Sequence, residues 1–170
     1  MKHQHLYNSL ESIVKLLCLL TAAIGLVVIY GWYTHNETLI QINQAFVPMQ
    51  YNTALGFFAL GLGGFFTNKQ YQRTLYVVGS FLLLLGLITL SQYILGINLG
   101  IDQALMEHYI NVRVTHPGRM APDTAICFAL CGLAFIISTI QNKYTNAVLS
   151  ILASCVLSFG LVAFAEYFTV

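Results

Sequence analysis

Met49-Gln50-Tyr51-Asn52-Thr53-Ala54-Leu55-Gly56-Phe57 returns 71 positions later as Met120-Ala121-Pro122-Asp123-Thr124-Ala125-Ile126-Cys127-Phe128. The likeness continues with Gly61-Leu62 over Gly132-Leu133. After three extra residues it resumes, with Leu85-Gly86-Leu87 and Tyr93 over Phe159-Gly160-Leu161 and Tyr167. A duplicated apolar unit of this size predicts a membrane protein built from tandem helical hairpins.

The composition around the repeat agrees. The 170 residues are 58% hydrophobic and 8% charged, with a mean hydropathy of +0.74. Soluble domains carry about 25% charged residues, so a soluble fold is excluded. No Asp, Glu, Lys or Arg falls between Lys15 and Glu37, Glu37 and Lys69, Arg73 and Asp102, Asp123 and Lys143, or Lys143 and Glu166. A spanning helix needs roughly 20 apolar residues, because the hydrocarbon core is about 30 Å thick. Each window holds one, giving expected spans Leu16–Tyr33, Met49–Phe66, Leu75–Leu95, Thr124–Ile140 and Ala147–Phe168. Pro48, Pro117 and Pro122 all lie outside the helix interiors, as unbroken backbone pairing in lipid requires.

The expected fold is therefore all-α and polytopic, with about five transmembrane helices. Residues 1–46 form an anchor helix and first external loop, 47–98 the first helical hairpin, 99–118 an external loop and 119–170 the second hairpin. With the N-terminus inside, Lys2, Lys15, Lys69, Arg73 and Lys143 are cytoplasmic, and Arg113 and Arg119 external. That bias follows the positive-inside rule and predicts a multi-pass protein of a cell inner membrane. The first span is longer than a signal-peptide core, and Gly31-Trp32-Tyr33 is not a small-residue cleavage site, so it reads as an uncleaved anchor. The net charge of +1 says nothing about nucleic acid, and no basic tract supports such binding, so no nucleic-acid partner is expected.

Each hairpin closes through a short polar turn, at 67–74 and 141–146. Because each unit contains two spans, both copies run in the same direction, unlike the inverted repeats of many transporters. At the start of each unit Asn52-Thr53 and Asp123-Thr124 are expected to cap outward-facing helix amides, with Asp123 complementing the helix dipole and Pro122 in the first turn. Ala54, Gly61, Ala125 and Gly132 allow close helix approach. With Met49 and Met120, these residues form a structural motif of capping and packing, not a catalytic one. In the external loop, Ile101, Leu105, Met106 and Tyr109 fall at helical spacing and predict a short amphipathic surface helix.

Candidates for chemistry are sparse. His35, His108 and His116 lie on the external side and are the candidate cofactor ligands. With Glu37, Asp102 and Glu107 they are also the candidate metal ligands, although no two show diagnostic spacing. No histidine falls within a span, which leaves no pair of axial haem ligands across two helices. Cys18, Cys127, Cys131 and Cys155 form no Cys-x-x-Cys and read as small hydrophobes. Gln92 and Glu166 sit near the outer ends of their helices and are expected to reach water. There is no nucleophile–base pair, phosphate loop or buried carboxylate pair, so no catalytic residue is assigned.

The run Arg119-Met120-Ala121-Pro122-Asp123-Thr124-Ala125-Ile126-Cys127-Phe128-Ala129-Leu130-Cys131-Gly132-Leu133-Ala134 resembles the multi-helix N-terminal membrane region of some bacterial sensor histidine kinases and diguanylate cyclases. Those regions carry a similar Met-Ala-Pro-Asn-Thr-Ala-Leu segment opening a spanning helix, and Asp123 replaces the more usual Asn. Leu99-Gly100-Ile101-Asp102-Gln103 and His116-Pro117-Gly118-Arg119-Met120 also look like the loop that precedes it. The likeness covers roughly Val47 onward. It implies a region that perceives a signal at the membrane while a cytoplasmic output domain acts on it. Five spans from an inside N-terminus leave the C-terminus outside, and no output domain follows Val170. The chain is thus expected to be either an excised sensor region or a relative working through a homo-oligomer or a partner membrane signalling protein. The leading expectation is a non-catalytic sensory or regulatory module in the lipid bilayer. One alternative is a membrane protein binding haem, a metal or a quinone-like cofactor near the external face. Another is a small transporter or channel subunit.

Overall fold

The computed structural model describes residues 2–41, 47–67, 69–110, 115–140 and 142–169, with backbone alone at 2–5, 69 and 166–169. The described residues contain six α-helices and no strand. They are α1 (Lys2–Thr34), α2 (Glu37–Ile40), α3 (Tyr51–Phe65), α4 (Gln72–Leu95), α5 (Pro122–Ser138) and α6 (Thr145–Thr169), with a single 3-10 turn at Lys69–Tyr71. The all-α class expected from the apolar windows is what forms.

Helix α1 starts well before the expected Leu16. Nothing between Lys2 and Gly25 breaks a helix, and Lys15 pairs with Glu11 one turn back at 2.6 Å, the favourable acid-before-base order. Its 33 residues extend about 50 Å at 1.5 Å per residue, beyond the hydrocarbon core. Among the described residues three helices are long and apolar enough to cross a membrane, at Leu6–Thr34, Gln72–Leu95 and Thr145–Ala165. Helix α5 is apolar but has 17 residues, and α3 has 15. These correspond to about 26 and 22 Å, less than the full-length second and fourth spans the windows predict. Large apolar side chains such as Leu19, Ile24, Val77, Leu84, Leu157 and Leu161 face outward along the three long helices, as a lipid-bathed surface requires.

The close helix pairs are not the hairpin partners. Helix α1 lies antiparallel along α3 and α4 along α5, whereas α3 with α4 and α5 with α6 share smaller contacts. Glycines make both pairs possible. A Cβ on Gly25 would stand 2.6 Å from Ala54 O and Phe58 N. A Cβ on Gly86 would strike Ala125 O and Ala129 N, the same two positions 71 residues on. One level down, Gly61 meets Cys18 and Ala22, and Gly132 meets Gly79 and Leu83, each receiving pair 61 residues apart. Only without side chains can the backbones come this near, and dispersion and Cα–H···O contacts then hold them.

The equivalence extends to the helix ends. Helix α1 closes with His35 in the left-handed region (φ 54°) and Asn36 N–H donating to Gly31 O at 2.9 Å. Helix α4 closes with Gly96 (φ 64°) and Ile97 N–H donating to Gln92 O at 3.2 Å. Both are Schellman-type endings. Trp32 Nε1 donates to Met49 O at 2.9 Å, and Tyr93 OH donates to Met120 O at 3.0 Å. The structural unit repeated is thus α1 with α3 and α4 with α5, each pair having its own core. One core is Val28, Trp32, Ile40, Tyr51, Ala54 and Ile110; the other is Leu82, Met120, Ala125 and Phe128. Ala54, Ala125, Gly61 and Gly132 pack closely, as their small size predicts.

The capping role expected of Asn52 is not what it does. The N-cap positions are Gln50 and Ala121, neither making a side-chain cap bond, and Asn52 turns its amide away from its own helix. Pro122 and Asp123 do occupy the first turn of α5. The predicted amphipathic helix at 101–109 is also absent: residues 101–106 are a chain of turns and bends. Asp102 is instead buried in its pair with Arg119, and Ile110 in the core of the α1–α3 pair.

Candidate functional site

The ends of helices α1, α3, α4 and α5 converge at one end of the molecule, and the described parts of the 96–121 loop, residues 96–110 and 115–121, lie across them. At its centre Asp102 and Arg119 form a buried ion pair, Arg119 Nε to Asp102 Oδ2 at 2.8 Å, with side chains 3% and 7% exposed. Arg119 Nη2 donates further to Gln92 Oε1 and Ile97 O, both at 3.3 Å. The other carboxylate oxygen accepts from Gln92 Nε2 at 2.9 Å, and Gln92 Oε1 also accepts from Leu99 N–H at 2.8 Å. Gln92 is fully buried, so its expected position in water is corrected. It lies inside the network because three polar partners satisfy it there. Glu166, its repeat counterpart, has a side chain outside the described residues.

Helix α3 joins the same loop from the other helix pair. Asn52 Nδ2 donates to Ile101 O at 3.0 Å and Asp102 O at 3.3 Å. The Arg119 guanidinium also lies over the Tyr93 ring at 5.2 Å, a cation–π contact. Gly118 reaches φ 80°, where a Cβ would stand 2.6 Å from Asp102 O, so the turn before Arg119 can lie flat on the loop. Arg119 sits directly ahead of the motif and was legible only as an external basic residue. Its partner, 17 positions earlier, carried no spacing signal.

A second cluster covers the α1–α3 pair. Trp32, 1% exposed, meets Tyr109 edge-on at 5.0 Å and His108 at 5.7 Å. His35 lies over Tyr109 at 4.3 Å with ring planes 31° apart, and Tyr109 OH donates to Trp32 O at 3.3 Å. Burial, then the Glu37 carboxylate, raises the Tyr109 hydroxyl pKa, which keeps it a donor. Both His108 ring nitrogens are shielded, with no well-formed hydrogen bond among the described residues. Burial lowers the His108 pKa below its ordinary 6.5, opposed in part by the Ile110 backbone. A cleft of about 430 Å³ opens beside this cluster, lined by His35, Tyr109 and residues 103–107.

The candidate ligands are thus distributed. His35 and Glu107 share the cleft, and His108 stands behind it against Trp32. Asp102 is committed to Arg119, His116 lies 6.0 Å from the Tyr93 ring, and Glu37 opens α2. Among the described residues no three of His, Cys, Asp or Glu come together as a metal site. Arg113 lies outside the described residues.

Comparison with family models, with curated proteins and with solved structures returns no match. The class that fold and site define is an all-α protein with membrane-spanning helices, built from two equivalent helix pairs joined by a polar-stitched loop.

Proposed function

We propose that the chain is a non-catalytic sensory or regulatory module of a bacterial inner membrane, similar to the membrane regions of sensor kinases and diguanylate cyclases. It perceives a signal at the outer face or within the bilayer and acts through a partner membrane protein or a cytoplasmic output domain. The N-terminus is inside, supported by the five basic residues on that side.

One observation carries the reading. The 96–121 loop is bonded to both helix pairs, to α3 through Asn52 and to α4 through Gln92, while Arg119 closes the loop on its own Asp102. It also presents the cleft beside His35 and Tyr109. A ligand, proton or lipid change felt by the loop biases how the two pairs sit against each other, and that is a two-state element a signal can act on.

The test labels Glu11 and Tyr76, toward the N-terminal ends of α1 and α4 and away from the loop, with spin labels through cysteine replacement in a background without native cysteines. Asp102→Asn should unlock the loop and shift or broaden the distance distribution in lipid nanodiscs. An unchanged distribution overturns the coupling, and steady turnover of a substrate by the reconstituted protein overturns the non-catalytic reading. An absorbance spectrum of natively purified protein bears on the cofactor alternative, which predicts a haem or quinone-like band.

A further inference from the structure

The receiving half of the helix pair occurs three times in this sequence, and only two copies are filled. Ile24-Gly25-Leu26 with Trp32 in α1, Leu85-Gly86-Leu87 with Tyr93 in α4, and Phe159-Gly160-Leu161 with Tyr167 in α6 share one pattern, a glycine followed seven residues later by an aromatic. In α1 the glycine is met by the backbone of Ala54 and Phe58, and in α4 by that of Ala125 and Ala129. In α6 nothing lies within 4 Å of Gly160. The position below corresponds as well: Cys18 with Ala22 and Gly79 with Leu83 receive a second glycine, whereas Ala153 and Leu157 are exposed.

Helix α6 meets α5 through its Leu152 side, and Ala153 and Leu157 form one wall of the groove beside that contact, across from Leu130, Cys131, Ala134 and Phe135 of α5. Leu152 is its buried residue, about 100° around the helix from Ala153, and among the described residues α6 makes sizeable contact with α5 alone. The order is regular: α3 is followed by α4, whose glycine face takes α5; α5 is followed by α6, whose glycine face is open.

We infer that the Ala153–Leu157–Gly160 face of α6 is a docking surface for a transmembrane helix of the α3/α5 kind, supplied by a partner membrane protein. The chemistry of the occupant follows from the two filled copies. It runs antiparallel to α6 and carries a small residue level with Gly160, as Ala54 and Ala125 do. It carries a glycine seven residues further on, as Gly61 and Gly132 do. Lipid chains fill such a groove without replacing the backbone contacts, so a helix that can approach closely is favoured over them. The inference rests on the internal repeat and is independent of the sensory reading.

The test uses the full chain, one copy per lipid nanodisc, with a donor dye at its N-terminus. The probe is an acceptor-labelled synthetic peptide of residues 118–140, the α5 sequence with lysine tags. Saturable energy transfer is expected. Gly160→Leu should weaken it roughly tenfold, a change of about 1.4 kcal/mol, while Trp32 emission stays unchanged and reports an intact fold. A peptide with Leu at both Ala125 and Gly132 should bind no better than an unrelated spanning helix. Equal binding of that peptide, or no effect of Gly160→Leu, overturns the proposal. So does self-association through α6 in discs holding two copies, if Gly160→Leu abolishes it and the peptide does not compete.

Discussion

Removing the Asp102 carboxylate tests the centre of the loop network. In Asp102→Asn the shape is kept and the charge is lost, so Arg119, 3% exposed, is left as an uncompensated buried cation. Breaking one side of a buried ion pair costs about 3–5 kcal/mol. Arg119 retains the Gln92 and Ile97 oxygens at 3.3 Å, which places the expected cost at the lower end, about 3 kcal/mol. Arg119→Gln should cost a similar amount by stranding the carboxylate. The double variant Asp102→Asn/Arg119→Gln leaves no charge to strand and should return to within about 2 kcal/mol of the parent. The assay is reversible unfolding in mixed micelles by titration with dodecyl sulfate, followed by the emission of Trp32, the sole tryptophan, and by helical circular dichroism. If the double variant costs as much as the two single variants added together, the pair is not energetically coupled and the account of the loop is wrong.

Further outcomes follow from the two helix pairs. Because the His108 pKa is lowered in the folded protein, the unfolded chain takes the proton more readily; stability holds above about 6.5 and falls as pH drops from there toward the folded value. Trp32 emission should change over the same range, and His108→Gln should abolish the dependence. Gly86→Ala presses a methyl group onto the Ala125 carbonyl and should cost about 1–3 kcal/mol. Gly160→Ala, with open space around it, should stay within about 0.5 kcal/mol of the parent in the same unfolding assay. Tyr93→Phe removes one hydrogen bond to a methionine carbonyl and should cost about 1 kcal/mol. Trp32→Phe loses the matching bond and also leaves a cavity beside Tyr109 and His108, so it should cost more, roughly 2–4 kcal/mol, read by circular dichroism.

Much of the architecture was legible from pattern alone. Long uncharged windows and the repeated Met-x-x-[Asn/Asp]-Thr-Ala segment predict apolar helices with small residues at their contacts. Ala54, Gly61, Ala125 and Gly132 are indeed where backbones meet. The pattern did not reveal which neighbours come closest. Helices adjacent in sequence look like hairpin partners, yet the closest approaches join α1 to α3 and α4 to α5. A signal for this was present in Ile24-Gly25-Leu26 and Trp32 over Leu85-Gly86-Leu87 and Tyr93, but the stronger 71-residue match draws the eye past it. The site was harder to see. Asn52 has the residue type of a helix cap and Gln92 that of an interfacial side chain, and neither property reveals a partner ten or fifty residues away in the loop.

Sequence by itself determined the chemical class of each segment, because helix formation and lipid exposure depend on local composition and on the thickness of a bilayer. It also determined that two units are alike, since duplication leaves matched residues at matched spacing. Tertiary structure alone decided which faces pair and where the few polar groups go. Glycine permits close approach without choosing the partner, and a charge such as Asp102 becomes stable out of water only where Arg119 and Gln92 are brought to meet it. The open glycine face of α6 follows from the same distinction, for only the two filled copies reveal what the third is shaped to receive.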